Sequence, residues 1–338
     1  MKTFTSLLFI LILPPFFCCI FSVGSNNTSN TSNGNIDVSP TAGTSLCNGQ
    51  FPKLNPPPRV DSPDSAHTGD LSYLGGHVVD GTANVYMIYW VDESVEPIGP
   101  KYISLTEQFV TDLGQSPLYA NLSQYHDASG QCPVSARLAG TFVDKRPLPP
   151  DLEAKRLDPN VPGDQVHAAI DSAARKEIAD VAAKEGWNTQ DYHNVYGILP
   201  TISDTKPGAC GGGAHNWLLI NTQGGQQKQG SPFMYLPYPC GFLVSSSNQD
   251  TNAQDAPNQD IGADNMVDVI SHELLETVSD PYVNGWAGNG GEVADKCVDN
   301  ISFHIDPQTH GNVTWNGHHY AVQQEYDNAG HGCVLEGP

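Results

Sequence analysis

The chain begins with a long apolar run, after which its polarity changes sharply. Residues 7–23 are almost wholly apolar, and Lys2 is the only charge before them. This pattern predicts a secretory signal peptide over residues 1–24. An uncleaved signal anchor is the alternative, because the run is long. Pro14-Pro15 interrupts the run and favours cleavage near Gly24.

The next segment, residues 25–65, has no apolar periodicity. It is rich in Ser, Thr, Asn, Gly and Pro, including the triplet Pro56-Pro57-Pro58. Such a composition cannot bury a core and predicts a disordered linker or stalk, with a propeptide as the alternative. From residue 66 to 338 the pattern becomes globular, and about 270 residues are enough for one large core.

Within residues 66–338, β-branched and aromatic runs alternate with segments of helical spacing. We predict helices where apolar positions recur every three to four residues, and Gly186 should end the Ala-rich one. The predicted strands cover 83–90, 140–143, 194–199, 216–220 and 232–236, and the predicted helices cover 102–113, 166–185 and 263–278. This order predicts an α/β (α+β) domain with helix 263–278 packed beneath a sheet.

The charge of the chain restricts its partners. Lys and Arg total 15 against 37 Asp and Glu, for a formal net charge of −22. Such a surface repels nucleic acid and anionic lipid, so we expect neither a nucleic-acid partner nor a membrane partner once the signal is removed.

The cysteines agree with export. Two lie in the predicted signal, and an even number remains, which suggests disulfides in an oxidising compartment. Proximity along the chain favours Cys210–Cys240 and Cys297–Cys333, which leaves Cys47–Cys132, although six cysteines allow about 15 pairings. In a eukaryotic secretory pathway the chain would also be a glycoprotein. Its sequons lie at Asn26, Asn27, Asn30, Asn121, Asn300 and Asn312.

The segment His272-Glu273-Leu274-Leu275-Glu276 is the strongest chemical signal in the sequence. Residues i and i+4 share one face of a helix, so His272 and Glu276 can grip one metal ion together. Glu273 would project beside them and take a proton from a metal-activated water, as in an H-E-x-x-H helix. The alternative is the polar stripe of an ordinary helix.

A later acidic segment supplies a candidate third ligand. Glu292 lies 20 residues after His272 and opens Glu292-Val293-Ala294-Asp295. One class of metalloproteases takes its third ligand from a Glu at about this spacing, with an Asp close behind it. We therefore predict Glu292 as a ligand and Asp295 as the group that fixes the tautomer of His272. Zinc is the expected ion. Manganese is an alternative, and calcium is another because several carboxylates are near.

Several histidines lie near the C-terminus. A zinc peptidase needs a donor to the developing oxyanion, commonly a His or Tyr from a later segment. We predict His318 or His331 in that catalytic role, with His319 and Tyr320 as further candidates. An ordinary surface histidine is the alternative for each.

Four segments resemble the EXORDIUM-like family, the phosphate-induced secreted proteins of plants and their microbial relatives. They are GTANVYMIYWVDESVEP with SLTEQFVTDLGQSPLY, VYGILPTISD with CGGGAHNW, ISHELLETVSDPYVNGW with GEVADKC, and YAVQQEYDNAGHGCV. The resemblance covers about residues 70–338, and the helix with its E-x-x-D-x-C segment is the most specific part. The Cys-Gly segment departs from the family in the glycine run before His215, to which no role is assigned.

The resemblance implies a fold and an activity. The family is linked to the extracellular matrix, and its H-E-x-x-E helix looks like that of a zincin-type metallopeptidase. It implies a zincin-like mixed sheet with an active-site helix in a single globular domain. By carry-over His272, Glu276 and Glu292 are metal ligands and Glu273 is the base.

These observations predict a secreted, extracellular, zinc-dependent metallopeptidase-like protein. Its substrate would be a protein, a peptide or the extracellular matrix. A non-catalytic extracellular or cell-wall protein that keeps a structural metal is the first alternative. A calcium-stabilised binding module is the second.

Overall fold

A computed structural model describes residues 69–91, 98–158, 160–201, 213–222, 225–238, 256–300 and 305–337. The predicted signal peptide and low-complexity linker lie outside these residues. The predicted α/β (α+β) class is confirmed, as a single domain built on a five-stranded mixed sheet.

The sheet orders its strands β3-β2-β4-β6-β5. Strands β2, β3, β4 and β6 run parallel to one another, and β5 is antiparallel to β6 at one edge. These strands are β2 (Gly81–Trp90), β3 (Pro133–Asp144), β4 (Asn194–Pro200), β5 (Ala214–Asn221) and β6 (Gln227–Tyr235).

Helices cover both faces of the sheet, which explains why its central strands are apolar throughout. Alternate residues of β2 separate into two cores. Val85, Met87 and Tyr89 pack towards α1 and α5, whereas Ile88 and Trp90 pack towards α4. The helices are α1 (Pro100–Leu113), α2 (Pro117–Ala120), α3 (Pro150–Leu157), α4 (Gly163–Glu185) and α5 (Ile261–Ser279).

The predicted elements correspond to observed ones with small shifts at their ends. Gly186 ends α4 in the left-handed conformation (φ 73°), where glycine is favoured. Strand β3 is longer than predicted because residues 133–139 mix polar and apolar side chains. The parallel pairing of these residues with β2 includes an irregularity between Val85 and Tyr86. Such long-range pairing leaves little periodicity in the sequence.

Among the described residues, six short strands form three two-stranded antiparallel sheets, and all of them except the first follow α5 in the chain. A 3-10 helix also lies at Asn121–Gln124 and another at Asp295–Asn300. The short strands are β1 (Ser72–Tyr73) with β7 (Trp286–Ala287), β8 (Val313–Trp315) with β9 (His318–Tyr320), and β10 (Glu325–Asp327) with β11 (Gly332–Val334). In the described part of the chain no helix has the length and apolarity needed to cross a membrane.

Two of the predicted glycosylation sites have structural roles. The side-chain amide of Asn121 is fully buried and donates to the carbonyl of Tyr326 at 2.9 Å. The amide of Asn312 donates to the carbonyl of Val322 at 2.6 Å. The fully buried amide of Asn121 leaves no room for a glycan in the folded chain, whereas glycosylation of the half-buried Asn312 stays a prediction.

Candidate metal centre

Helix α5 carries the His-Glu motif and is buried along its whole length. Asp260 caps its N-terminus by accepting a hydrogen bond from Ala263 N–H at 3.0 Å, and Asp280 follows its last turn. Every residue from 262 to 279 is buried, including the polar ones. The polar stripe is therefore not a solvated helix face, and its groups need partners or ions inside the protein.

His272 faces two carboxylates with one ring nitrogen and an amide with the other. Its Nε2 lies 3.4 Å from Glu276 Oε2 and 3.5 Å from Asp295 Oδ1. Its Nδ1 lies 3.0 Å from Gln323 Oε1. The Gln323 amide nitrogen donates to the carbonyls of Ala294 and Gln324, so its oxygen is the atom that faces the ring. Nδ1 therefore carries the proton, and Nε2 is left as the ligand atom.

The carboxylate of Glu276 is also held in place. Its Oε1 accepts a hydrogen bond from the backbone N–H of Asp295 at 3.0 Å. Its other oxygen, Oε2, faces the imidazoles. Asp295 Oδ2 accepts from the backbone N–H of Glu292 at 3.2 Å, which leaves Oδ1 facing His272. Each carboxylate thus uses one oxygen in the fold and presents the other to the same space.

Asp295 lies on the side of His272 that was predicted for Glu292. Asp295 was expected at the other ring nitrogen of His272 but faces Nε2, and Gln323 occupies the expected position. A 3-10 helix starts at Asp295, and the backbone N–H of Asp295 donates to Glu276 Oε1. Because of this bond, the carboxylate of Asp295 lies on the same side of His272 as Glu276. Glu292 turns instead towards His215.

His215 joins the same space from edge strand β5. Its Nδ1 lies 3.6 Å from Glu273 Oε2 and 3.8 Å from Glu276 Oε2. Its Nε2 lies 3.7 Å from Glu292 Oε1. No role was predicted for His215. The glycine run before His215 could have indicated that this segment approaches α5, because Gly213 leaves room for the side chain of Glu273.

Close packing at Gly213 fixes the position of Glu273. A Cβ at residue 213 would lie 2.4 Å from Glu273 Cγ and 2.4 Å from its Oε1. Only glycine therefore fits beside this carboxylate. Glu273 is 1 % exposed, and its Oε2 faces His215.

We call these residues the His/Glu/Asp cluster: His215, His272, Glu273, Glu276, Glu292 and Asp295. Buried polar atoms normally have hydrogen-bond partners, and exceptions require an explanation. Within the described residues, several atoms of the cluster have none, namely His215 Nε2, His272 Nε2, Glu273 Oε2 and both oxygens of Glu292. Two groups within the cluster have the arrangement of metal ligands, each with its ligand atoms within 4.8 Å of one another: His215, Glu273 and Glu276, and His272, Glu276 and Asp295.

The electrostatics of the cluster favour cations. Burial alone would lower the pKa of His272, but Glu276 and Asp295 hold that pKa well above its usual value. Burial, with Glu276 and Asp280 nearby, raises the pKa of Glu292 far above its usual range. Without a metal the cluster therefore takes up protons, and a bound cation would displace them.

Further acidic groups lie behind His272. Burial raises the pKa of Asp268 to about 6, although its carboxylate accepts a short bond from Gln323 N–H. Glu325 on β10 is fully buried, and neither of its carboxyl oxygens has a partner among the residues that the structure describes. Burial raises the pKa of Glu325 well above its usual value. The surroundings of the cluster are thus strongly acidic.

The two C-terminal histidines predicted as oxyanion donors are held elsewhere. His318 Nδ1 lies 2.7 Å from Asp112, and His331 Nδ1 lies 2.8 Å from Asp70. Their side chains are 43 % and 69 % exposed. Among the described residues neither forms an ion pair or hydrogen bond with the cluster, and the catalytic role of both stays a prediction.

One predicted disulfide lies beside the cluster. Cys297, two residues after Asp295, is bonded to Cys333 on β11. Cys132 is also disulfide-bonded. The predicted partner Cys47 and the pair Cys210 and Cys240 lie outside the described residues. The bond at Cys297 attaches the segment that carries Asp295 to the C-terminal hairpin, and disulfides agree with an oxidising compartment.

Comparison with known proteins gives one match. Residues 230–331 match the family model described as the phosphate-induced protein 1 conserved region. This segment of the chain is similar to that conserved region. No curated protein and no solved structure matches the chain.

The matched segment contains most of the candidate metal centre. It includes all of α5, both acidic residues Glu292 and Asp295, and Gln323. It leaves out His215, which lies before residue 230. The segment that matches this family model therefore contains every residue of the His/Glu/Asp cluster except His215. Its buried residues could hold a metal ion.

Proposed function

We propose that this protein is a secreted zinc-dependent hydrolase that cleaves peptide bonds. The observation that carries the proposal is the convergence of His272 Nε2, Glu276 Oε2 and Asp295 Oδ1 at 3.4–3.5 Å in the buried interior. Zinc bonds of about 2.0–2.2 Å place ligand atoms roughly 3.4 Å apart in a tetrahedron. Both distances from His272 Nε2 match this spacing, and the ligand atoms of the group all lie within 4.8 Å of one another. Among the described residues, His272 Nε2 has no hydrogen-bond partner.

The donor set favours zinc over calcium. Calcium takes six to eight oxygen ligands and rarely imidazole. Each of the two ligand groups of the His/Glu/Asp cluster contains one imidazole with two carboxylates, and imidazole suits zinc and other transition metals. This chemistry weighs against a calcium-stabilised binding module.

Glu273 is the residue that would move a proton. When bound, zinc would supply the Lewis acidity that brings the pKa of a water to about 7. Glu273 is the neighbour of His272 on α5, and its Oε2 is buried and unpartnered. Burial raises the pKa of this carboxyl against the effects of His215 and His272. Glu273 would accept the proton of the attacking water and pass it to the leaving amine.

Strand β5 supports a peptide as the substrate. It is an edge strand of the sheet, antiparallel to its single neighbour β6. An extended peptide can add to such an edge through backbone hydrogen bonds. His215 lies on β5 within the cluster, and Leu219 further along is 47 % exposed. A peptide paired with β5 would therefore run past the cluster.

A non-catalytic secreted protein with a structural metal is the second candidate. The depth of the site favours it, because His272, Glu273 and Glu276 are each no more than 3 % exposed. Structural zinc sites are closed, whereas catalytic sites keep one position open.

One substitution distinguishes the two candidates. Glu273→Gln should retain zinc at His272 and the wild-type melting temperature but lose about 10²-fold or more of the peptidase rate. Glu185→Gln, at the exposed end of α4, is the matched control and should keep the full rate. Zinc content and hydrolysis of a broad peptide library would be measured on all three proteins. Equal rates for wild type and Glu273→Gln would contradict the role of Glu273. A stoichiometric zinc protein with no hydrolysis would favour the structural role.

A further inference from the structure

The His/Glu/Asp cluster contains two ligand groups, and only one is used in the proposed function. His272, Glu276 and Asp295 form the first group, and His215, Glu273 and Glu276 form the second. Glu276 belongs to both. Within the described residues no group of this kind contains both imidazoles. One tetrahedral ion needs its ligands about 3.4 Å apart, so the two groups define two ion positions.

We propose that the cluster binds a second divalent cation between His215, Glu273 and Glu276, and that this ion withdraws Glu273 from catalysis. The binding claim stands on the cluster alone, whereas the inhibitory consequence rests on the proposed function. Two-metal sites with a shared carboxylate commonly place their ions about 3.5–4 Å apart.

The geometry of Glu276 suits a shared ligand. Its Oε2 lies 3.4 Å from His272 Nε2 and 3.8 Å from His215 Nδ1, so one oxygen faces both imidazoles. Its Oε1 is occupied by the backbone N–H of Asp295. The side chain therefore cannot turn Oε2 away from either position without breaking that bond.

Unpartnered atoms give an independent indication of a missing cation. In the described part of the chain, Glu273 Oε2 is buried without a hydrogen-bond partner and lies 3.6 Å from His215 Nδ1. His215 Nε2 and Glu292 Oε1 are also unpartnered and lie 3.7 Å apart. An ion on Nδ1 would place the ring proton on Nε2, where Glu292 can accept it and orient the ring. Glu273 Oε2, His215 Nε2 and Glu292 Oε1 then each have a partner.

The charge of the cluster also calls for more than one ion. Glu273, Glu276, Glu292 and Asp295 contribute four carboxylates, and neutral imidazoles contribute no charge. A single divalent ion compensates two of the four, and in a buried site the other two need protons or a second cation. A second divalent ion compensates them.

The two positions should fill in order. At the first, Gln323 fixes His272 and the Asp295 backbone fixes Glu276, with ligand atoms 3.4–3.5 Å apart. At the second, His215 comes from a separate strand, and its distances of 3.6 and 3.8 Å must shorten. The second ion should therefore bind more weakly. Once coordinated, Glu273 cannot accept a proton, so excess zinc should inhibit.

Zinc stoichiometry tests the proposal. Metal-free wild type would be dialysed to equilibrium against rising zinc, and bound zinc would be measured by mass spectrometry together with peptidase rate. We expect two equivalents in wild type, bound in two steps, and a rate that rises with the first and falls at least tenfold with the second. His215→Asn should bind one equivalent of zinc. Its peptidase rate, scaled to its own maximum, should not fall at high zinc.

The control addresses adventitious binding to an acidic protein. His167→Asn removes an exposed histidine of α4 and should keep two equivalents and the same fall in rate at high zinc. Thermal unfolding checks that each variant is folded, and the two-step titration of wild type does not depend on any variant. One equivalent in wild type, or two in folded His215→Asn, would overturn the second site. Two equivalents that depend on His215 without any hydrolysis would support the second site and reject the peptidase activity.

Discussion

The amide oxygen of Gln323 lies 3.0 Å from Nδ1 of His272 and fixes the tautomer of that imidazole. The bond joins α5 to the segment just before β10, 51 residues further along the chain. It leaves Nε2 facing Glu276 and Asp295, where a bound cation would replace a proton. A ring held in this way is prepared to bind a cation, because the neutral ligand form needs no rearrangement.

Gln323→Met should weaken zinc binding by about 10–100-fold, because it removes the acceptor that orients His272. Gln324→Met is the matched control, since the side chain of Gln324 bonds the carbonyl of Cys333 and not the imidazole. Competition with a zinc chelator would measure both affinities. Equal affinities in the two variants would show that Gln323 does not orient the ligand.

The two candidate third ligands can be ranked by conservative substitution. Asp295→Asn should reduce zinc affinity at the first position by at least about 100-fold, because Asp295 Oδ1 faces His272 Nε2 at 3.5 Å. Glu292→Gln should have a smaller effect there, because Glu292 faces His215. Binding of the first zinc equivalent, followed by calorimetry, separates the two. A larger loss in Glu292→Gln would restore the assignment made from the sequence.

A carboxylate pair far from the metal centre should make stability depend on pH. Burial and the neighbouring Asp144 raise the pKa of Glu177 to about 8, against the effect of Arg146. The folded chain therefore holds a proton that the unfolded chain loses above pH of about 4.5. This group's contribution to the free energy of unfolding is present below that pH and is lost as the pH rises to about 8.

Glu177→Gln should flatten this part of the pH profile. Urea unfolding of wild type and variant at pH 5 and pH 8 would show a smaller difference in the variant. Glu185→Gln, on the exposed end of the same helix, should leave the wild-type dependence unchanged. Parallel profiles for wild type and Glu177→Gln would contradict the raised pKa.

The disulfide near the metal centre should contribute strongly to stability. It closes a loop with a sequence separation of 36 residues, which corresponds to about 4 kcal/mol in the loop-entropy description. Replacing both Cys297 and Cys333 by Ser should lower the free energy of unfolding by roughly this amount. Denatured wild type should show no free thiol if all six mature cysteines are paired. Two or more free thiols would contradict that prediction.

The sequence predicted the elements that depend on local spacing. His272 and Glu276 share a face because helical geometry requires it, and α5 was recognised by its apolar positions and its end near Asp280. The class of the fold followed from the order of helices and strands. These features depend on neighbours within a few residues.

The sequence did not predict features that depend on long-range packing. Gln323 and His215 reach the cluster from segments that local spacing cannot connect to α5. The choice between Glu292 and Asp295 depends on one backbone bond to Glu276, and loop length does not determine it. The glycine run before His215 is visible in the sequence. Its role depends on the close approach of Gly213 to Glu273, which only the folded structure shows.

Anomalous diffraction at the zinc edge, from crystals of the wild-type protein grown with zinc, tests the metal centre most directly. We predict a peak about 2.0–2.2 Å from His272 Nε2, Glu276 Oε2 and Asp295 Oδ1. At higher zinc a second peak should lie beside His215 Nδ1. An empty cluster in crystals of zinc-saturated protein, or peaks only on surface carboxylates, would contradict the metal centre.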